Sequence, residues 1–264
     1  MKKLTAALWV SLGILLAGCS PEDTSLHTKV GAPMVLHKIV VGLDENFPPM
    51  GFRNEQNELA GFDVDMAQEA GKRLGVPIEF KPIDWINKET ELSRKRVDVL
   101  WSGLVITEER KKTMVFTAPY LQNHQVVVVA AGSAIRHRAD LAGKVVGAQE
   151  RSSAVQVLRQ EPALFASFQA FRVFGDNLTP LELLTQGRLQ AVFMDEVVGR
   201  NYVLRKPDQY AVLDTVFGSE HYAVAMRPED SILREKLDKA LADMQKDGTI
   251  KQIAQRWFGK HLTP

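Results

Sequence analysis

Three neighbouring stretches decide the fold: KIVVGL (Lys38–Leu43), FDVDMAQEAGKRL (Phe62–Leu74) and IEFKPI (Ile78–Ile83). The outer two are short apolar runs of strand length. In the middle one Phe62, Met66, Ala70 and Leu74 recur every four residues and line one face of a helix. Gly75 and Pro77 stop that helix. The reading is strand, helix, strand.

Outward from this unit the alternation continues. Val97–Trp101 reads as a further strand. Thr107 is placed to cap a helix running through Met114, with Glu108 and Glu109 favourable in its first turn. Val126–Ala130, Lys144–Ala148, Arg172–Phe174 and Gln190–Met194 read as strands, and Ser153–Gln160, Leu178–Gln186 and Glu196–Arg205 as helices. Apolar strands alternating with helices predict parallel sheets covered on both faces. The tail is helical: Ile232, Leu233, Leu237, Ala240, Leu241 and Met244 form one stripe, Asp247-Gly248 breaks it, and Ile250, Ile253, Ala254 and Trp257 form another. The pattern is α/β in two lobes. Ligands of such sheets sit beyond the carboxyl ends of strands, which points to Asp44–Phe47, Ser102–Arg110, Ser152–Ser153 and Asp195.

Composition narrows the classes. The chain has 264 residues, 45% hydrophobic and 25% charged, as ordinary globular proteins do. Lys+Arg 33 against Asp+Glu 32 leaves a formal net charge of +1, so no basic field argues for nucleic acid. The single cysteine excludes an internal disulfide framework. No GxSxG elbow, phosphate loop, GxGxxG or HExxH occurs, and the six histidines form no local ligand pair, so neither cofactor nor metal is expected.

The N-terminus carries its own signal. Met1-Lys2-Lys3 precedes an apolar run from Leu4 to Ala17, the form of a secretory signal and short for a membrane span of about 20 residues. A short transmembrane anchor is the plainer alternative. Leu16-Ala17-Gly18-Cys19 resembles a bacterial lipobox, which implies cleavage of residues 1–18 and acylation of Cys19. Without Lys2 and Lys3 the balance is 31 basic against 32 acidic residues, net −1. Residues 19–37 then read as the lipidated cysteine and a flexible tether on a membrane surface.

Several segments together resemble the bacterial extracellular solute-binding proteins of polar amino-acid ABC transporters (family 3 type). They are Val41-Gly42-Leu43-Asp44 with Phe47-Pro48-Pro49; Leu59-Ala60-Gly61-Phe62-Asp63-Val64-Asp65; Arg96-Val97-Asp98-Val99; Ser102 through Lys111; Phe116-Thr117-Ala118-Pro119-Tyr120; Asp140 through Gly147; and Asp247-Gly248-Thr249-Ile250 ending at Trp257-Phe258-Gly259. Each is weak alone; the ordered set behind a lipobox is specific.

The resemblance implies a periplasmic-binding-protein-like fold, two α/β lobes joined by two crossover strands with a ligand cleft between. The first lobe would comprise 38–121 and 221–264, the second 126–217. It implies capture of an amino acid by hinge closure and delivery to a membrane permease driven by an ATPase, by a monomer held in the envelope through its N-terminal lipid. A prephenate or arogenate dehydratase on the same scaffold is the alternative.

Carried over residue by residue, the resemblance makes Arg110 the carboxylate partner, helped by Ser152, Ser153 and the backbone of Val105, where the family commonly has Ser or Thr. Asp195, with Ser102 and Gly103, would receive the ammonium; Phe47, Trp85, Asp44 and Glu89 would shape the side-chain pocket. Read as residues alone, each has a structural alternative. Arg110 can pair with Glu109, Ser152–Ser153 and Asp195 can cap helices, Phe47 and Trp85 can be core, and Glu89 can lie on a solvated helix face. Arg151 stands where the family often has Gly.

Overall fold

The computed structural model describes residues 37–259. The expected signal peptide, the acylated Cys19 and nearly all of the tether lie outside them. In chain order the elements are β1 (Ile39–Leu43), β2 (Asn46–Phe47), β3 (Gly51–Arg53), β4 (Leu59–Ala60), α1 (Phe62–Leu74), β5 (Ile78–Pro82), α2 (Lys88–Ser93), β6 (Val99–Leu100), β7 (Val115–Phe116), β8 (Leu121–Ala130) and β9 (Val145–Gln149). There follow α3 (Ser153–Arg159), α4 (Pro162–Ser167), β10 (Ala170–Phe174), α5 (Leu178–Thr185), β11 (Ala191–Asp195), α6 (Glu196–Arg205), β12 (Tyr210–Val212), β13 (Phe217–Tyr222), β14 (Ala225–Met226), α7 (Ser231–Lys246) and α8 (Thr249–Phe258). Among the described residues no helix is long and apolar enough to cross a membrane.

Two main sheets form, β5-β1-β6-β14-β7 and β10-β9-β11-β8-β12, with β13 paired to β8. Neither is purely parallel, which corrects the expectation from sequence. β1 runs parallel to β5 and β6, but β14 is antiparallel to β6 and β7. β9 runs parallel to β10 and β11, but β8 is antiparallel to β11, β12 and β13. An apolar run says that a strand is buried, not which way it points. β8 carries the chain out of the first sheet region and β13 carries it back. Two strands crossing one gap in opposite senses pair antiparallel, here Leu121 with Tyr222 and Gln125 with Phe217.

The helical periodicity holds for α1: Phe62, Met66 and Ala70 are buried, and Gly75 ends the helix in the left-handed conformation at φ 66°. The tail returns to this helix. The Phe258 ring lies 4.9 Å from Phe62, and Asp65 accepts from Arg256 Nη1 (2.7 Å) and Trp257 Nε1 (2.9 Å). Two expectations fail. Ile232 does not belong to the buried stripe of α7 and is 46% exposed. The helix expected from Thr107 to Met114 is only a 3-10 turn, Arg110–Lys112. Thr107 Oγ1 does accept from the Arg110 N–H (3.2 Å), but β7 begins at Val115 and the chain must turn to reach it.

This architecture sets the site. Asp44 follows β1, Ser102 follows β6 closely, Gln149 ends β9 and Asp195 ends β11, so carboxyl ends from both sheets face one another.

Candidate functional site

The facing strand ends enclose a void lined by Phe47, Trp85, Ser102, Gly103, Val105, Arg110, Ser152, Ser153 and Asp195, nine of the eleven side-chain and backbone candidates, together with Leu104 and Gln149. Its empty space is about 250 Å3, of which only about 10 Å3 is open to the centre of a water molecule. That is room for about one water.

Arg110 is buried, and no carboxylate lies within ion-pair distance of it among the described residues. The alternative of a surface pair with Glu109 therefore fails. Its Nη1 donates to Val105 O (2.8 Å) and its Nη2 to Arg151 O (3.1 Å). Burial pulls its pKa down, and the carboxylates of Glu89, Glu220 and Asp195 oppose that. A guanidinium held by neutral carbonyls keeps its charge uncompensated.

Asp195 presents the opposite charge in the same manner. It stands at the start of α6 but makes no side-chain cap there. Instead Oδ1 accepts from Asn123 Nδ2 (2.5 Å), Tyr222 OH (2.8 Å) and Gln125 Nε2 (3.0 Å). Burial, then the neighbouring Glu220, drives its pKa upward, and burial also raises that of Glu220. Gln125 Nε2 donates to Glu220 Oε2 as well (2.7 Å), and Ser153 Oγ donates to it at 3.3 Å. Two carboxylates thus share one set of neutral donors. Ser152, at the start of α3, spends its hydroxyl on Gln149 O (2.7 Å).

The loop after β6 is braced from beneath. Asp63 Oδ2 accepts the Gly103 N–H at 2.6 Å. Gly103 sits at φ 54°, and a Cβ there would come within 2.6 Å of Phe47 Cε1, so the position requires glycine. Asp63 is buried, and desolvation lifts its pKa to about 7. Tyr120 OH and Trp101 Nε1 bias it toward ionisation without closing hydrogen bonds of their own. Phe47 and Trp85 are buried and belong to apolar clusters while lining the void, so packing and site readings hold together.

Asp44 and Glu89 lie just beyond the void. Buried Asp44 accepts from Gln149 Nε2 (2.9 Å) and the Asn46 N–H (2.9 Å), and desolvation raises its pKa. Glu89 is not on a freely solvated face: Arg151 Nη2 donates to Glu89 Oε2 (3.0 Å).

Sequence reasoning missed Gln149, Gln125, Asn123, Glu220, Tyr222 and Lys88. Gln149 carried a usable signal, as the residue next after an expected strand. The others lie on the crossover strands or inside α2, where no local pattern marks them.

With the geometry in hand, likeness to known proteins becomes informative. The model of the bacterial extracellular solute-binding proteins, family 3, matches residues 39–260. The L-cystine-binding protein TcyJ of Escherichia coli (strain K12) is 32% identical over 263 residues, 98% of this chain and 96% of its own. The histidine-binding periplasmic protein of Salmonella typhimurium is 32% identical over 272 residues, 98% and 97% of the two chains. A substrate-binding protein of an ABC uptake transporter from Streptococcus pneumoniae, solved with bound histidine, superposes with TM-score 0.82 at 31% identity, covering 86% of this chain and 94% of that one. An ancestral arginine-binding protein bound to glutamine gives TM-score 0.80 at 37% identity, covering 86% and 100%.

Proposed function

The chain belongs to the family 3 bacterial extracellular solute-binding proteins, and we propose that it is the amino-acid-capturing component of an ABC transporter, delivering its ligand to a membrane permease. The family is one of binding proteins and not of enzymes, so the dehydratase alternative is set aside. The relatives named for cystine and histidine, and the neighbours solved with histidine or glutamine, support an amino acid as the solute.

One observation carries the reading. A buried cation, Arg110, and a buried carboxylate, Asp195, border the same void, and each is hydrogen-bonded by neutral partners. A free amino acid supplies both missing counter-charges. In this reading Arg110 takes the α-carboxylate with a planar fork, aided by Ser152, Ser153 and the Val105 backbone. Asp195 takes the ammonium, near Ser102 and Gly103. Phe47 and Trp85 exclude water around the side chain, and Asp44 and Glu89 set the charge at its far end.

A void with room for about one water admits no amino acid, so entry requires the halves to part. We assign 38–121 and 221–264 to one lobe and 126–217 to the other, hinged on β8 and β13. The ligand's two ends are satisfied together only when the lobes meet, which shifts the population toward closure. Anchoring through acylated Cys19, action as a monomer and coupling to an ATPase complete the proposal. A thermal-shift panel of the standard amino acids plus L-cystine tests it. A raised melting temperature with one or a few of them is expected; a flat panel sinks the reading.

A further inference from the structure

Arg151 keeps a left-handed backbone, φ 59°, which L side chains rarely adopt. Strain of this kind persists where surrounding structure enforces it. Here the surroundings are on the page. The turn between β9 and α3 swings the Arg151 carbonyl across the cleft, where it accepts from Lys88 Nζ (3.1 Å) and Arg110 Nη2 (3.1 Å). The Arg151 guanidinium reaches the same element, donating to Glu89 Oε2 at 3.0 Å.

Lys88 is the second donor to that carbonyl. Its side chain is fully buried, an unusual place for an ammonium. Its partners are Trp85 O (3.1 Å), Arg151 O, Glu89 Oε1 at 3.6 Å and the face of the Trp85 ring at 5.2 Å. Only Arg151 O comes from across the cleft. Burial, with Arg110 as a like-charged neighbour, pulls the Lys88 pKa down to about 7. Parting the lobes removes that one cross-cleft acceptor and returns the ammonium to water.

We propose that Arg151 is a positioning residue that clasps the two lobes, its carbonyl accepting from Lys88 and Arg110 and its side chain holding Glu89, so that contacts of the chain itself favour closure. The proposal rests on the two-lobed capture reading above but concerns closure alone. It also explains why an arginine is compatible with a position suited to glycine: the side chain adds a cross-cleft partner that glycine lacks.

The test measures lobe separation with no ligand. Spin labels are placed at Gln56→Cys and Ala166→Cys, both exposed, in the full chain carrying Cys19→Ser. The protein is unfolded, dialysed and refolded to strip any bound solute, and the interlabel distance distribution is recorded. A short-distance population is expected beside the long one. Glu89→Gln and Arg151→Gln should each lower the closed-to-open ratio about threefold, and the double variant no further than either single. Arg151→Gly, which keeps the left-handed backbone and its carbonyl, should match Arg151→Gln. A wild-type distribution with no short distances, variants that superpose on it, or additive losses in the double variant would overturn the clasp. A flat amino-acid panel with these shifts intact would remove the capture reading and leave the clasp standing.

Discussion

The molecule buries two arginines in opposite ways. Arg227 donates to Leu92 O (3.1 Å) and Val97 O (2.7 Å), and has Asp230 at 2.7 Å and Asp98 at 3.4 Å as counter-charges. Arg110 is equally buried and has carbonyl partners only. The first has its charge neutralised in place, tying the start of α7 to the β6 region. The second has hydrogen bonds but no neutralising charge. A buried charge left with dipoles is expensive to the fold, and it persists where something else completes it. The difference between the two, more than burial itself, is the ground for proposing Arg110 as a ligand partner.

That contrast can be broken by paired substitutions. Arg227→Ala strands Asp98 and Asp230 and should cost about 3 kcal/mol of stability in urea denaturation, with amino-acid affinity of the folded protein unchanged. Arg110→Ala should do the reverse, lowering affinity in calorimetry at least tenfold, about 1.4 kcal/mol, with a smaller change in stability. If Arg110→Ala binds as tightly as the parent, Arg110 is no more a site residue than Arg227.

The carboxylate side sharpens the same point. Asp195, like Arg110, leans on neutral groups, Tyr222, Gln125 and Asn123. Asp195→Asn keeps the shape and removes the charge. It should weaken an amino acid by about tenfold but a des-amino analogue by much less. Equal losses for the two ligands contradict an ammonium partner.

The smallest effect concerns the brace. Burial lifts Asp63 from an ordinary 3.8 to about 7, so the folded chain keeps a proton that the unfolded chain releases. Stability from this group is full below about pH 4 and is lost as pH rises through about 7. Asp63→Asn should flatten that part of the urea-stability profile by at most about 1.4 kcal/mol per pH unit. A profile of unchanged slope would show that Asp63 does not titrate in this window.

Much of this was legible before any coordinates. Residues Phe62–Leu74 announced their helix through a four-residue apolar spacing, and Glu196–Arg205 matched to the residue. Strand ends, read from where apolar runs stop, pointed to Asp44–Phe47, Ser102–Arg110, Ser152–Ser153 and Asp195, while Trp85, Glu89 and the residue roles came from the family resemblance. Ile232 was grouped with the stripe of α7 yet lies off its face: Leu233, in the same turn, is 3% exposed and Ile232 46%. Thr107 caps only a short turn, because β7 claims the residues that would have continued a helix.

The sequence by itself determined the α/β alternation and, through the family resemblance, offered the envelope-type N-terminus and the candidate site residues as expectations. The alternation rests on local periodicity, and the motifs on residues near one another in the chain. Only the tertiary structure decided strand direction, the partnership of Asp195 with residues 123, 125 and 222, and the meeting of Lys88 with Arg151. Those pairs lie dozens of residues apart, and which distant groups share a low-dielectric space is settled by packing, not by local pattern.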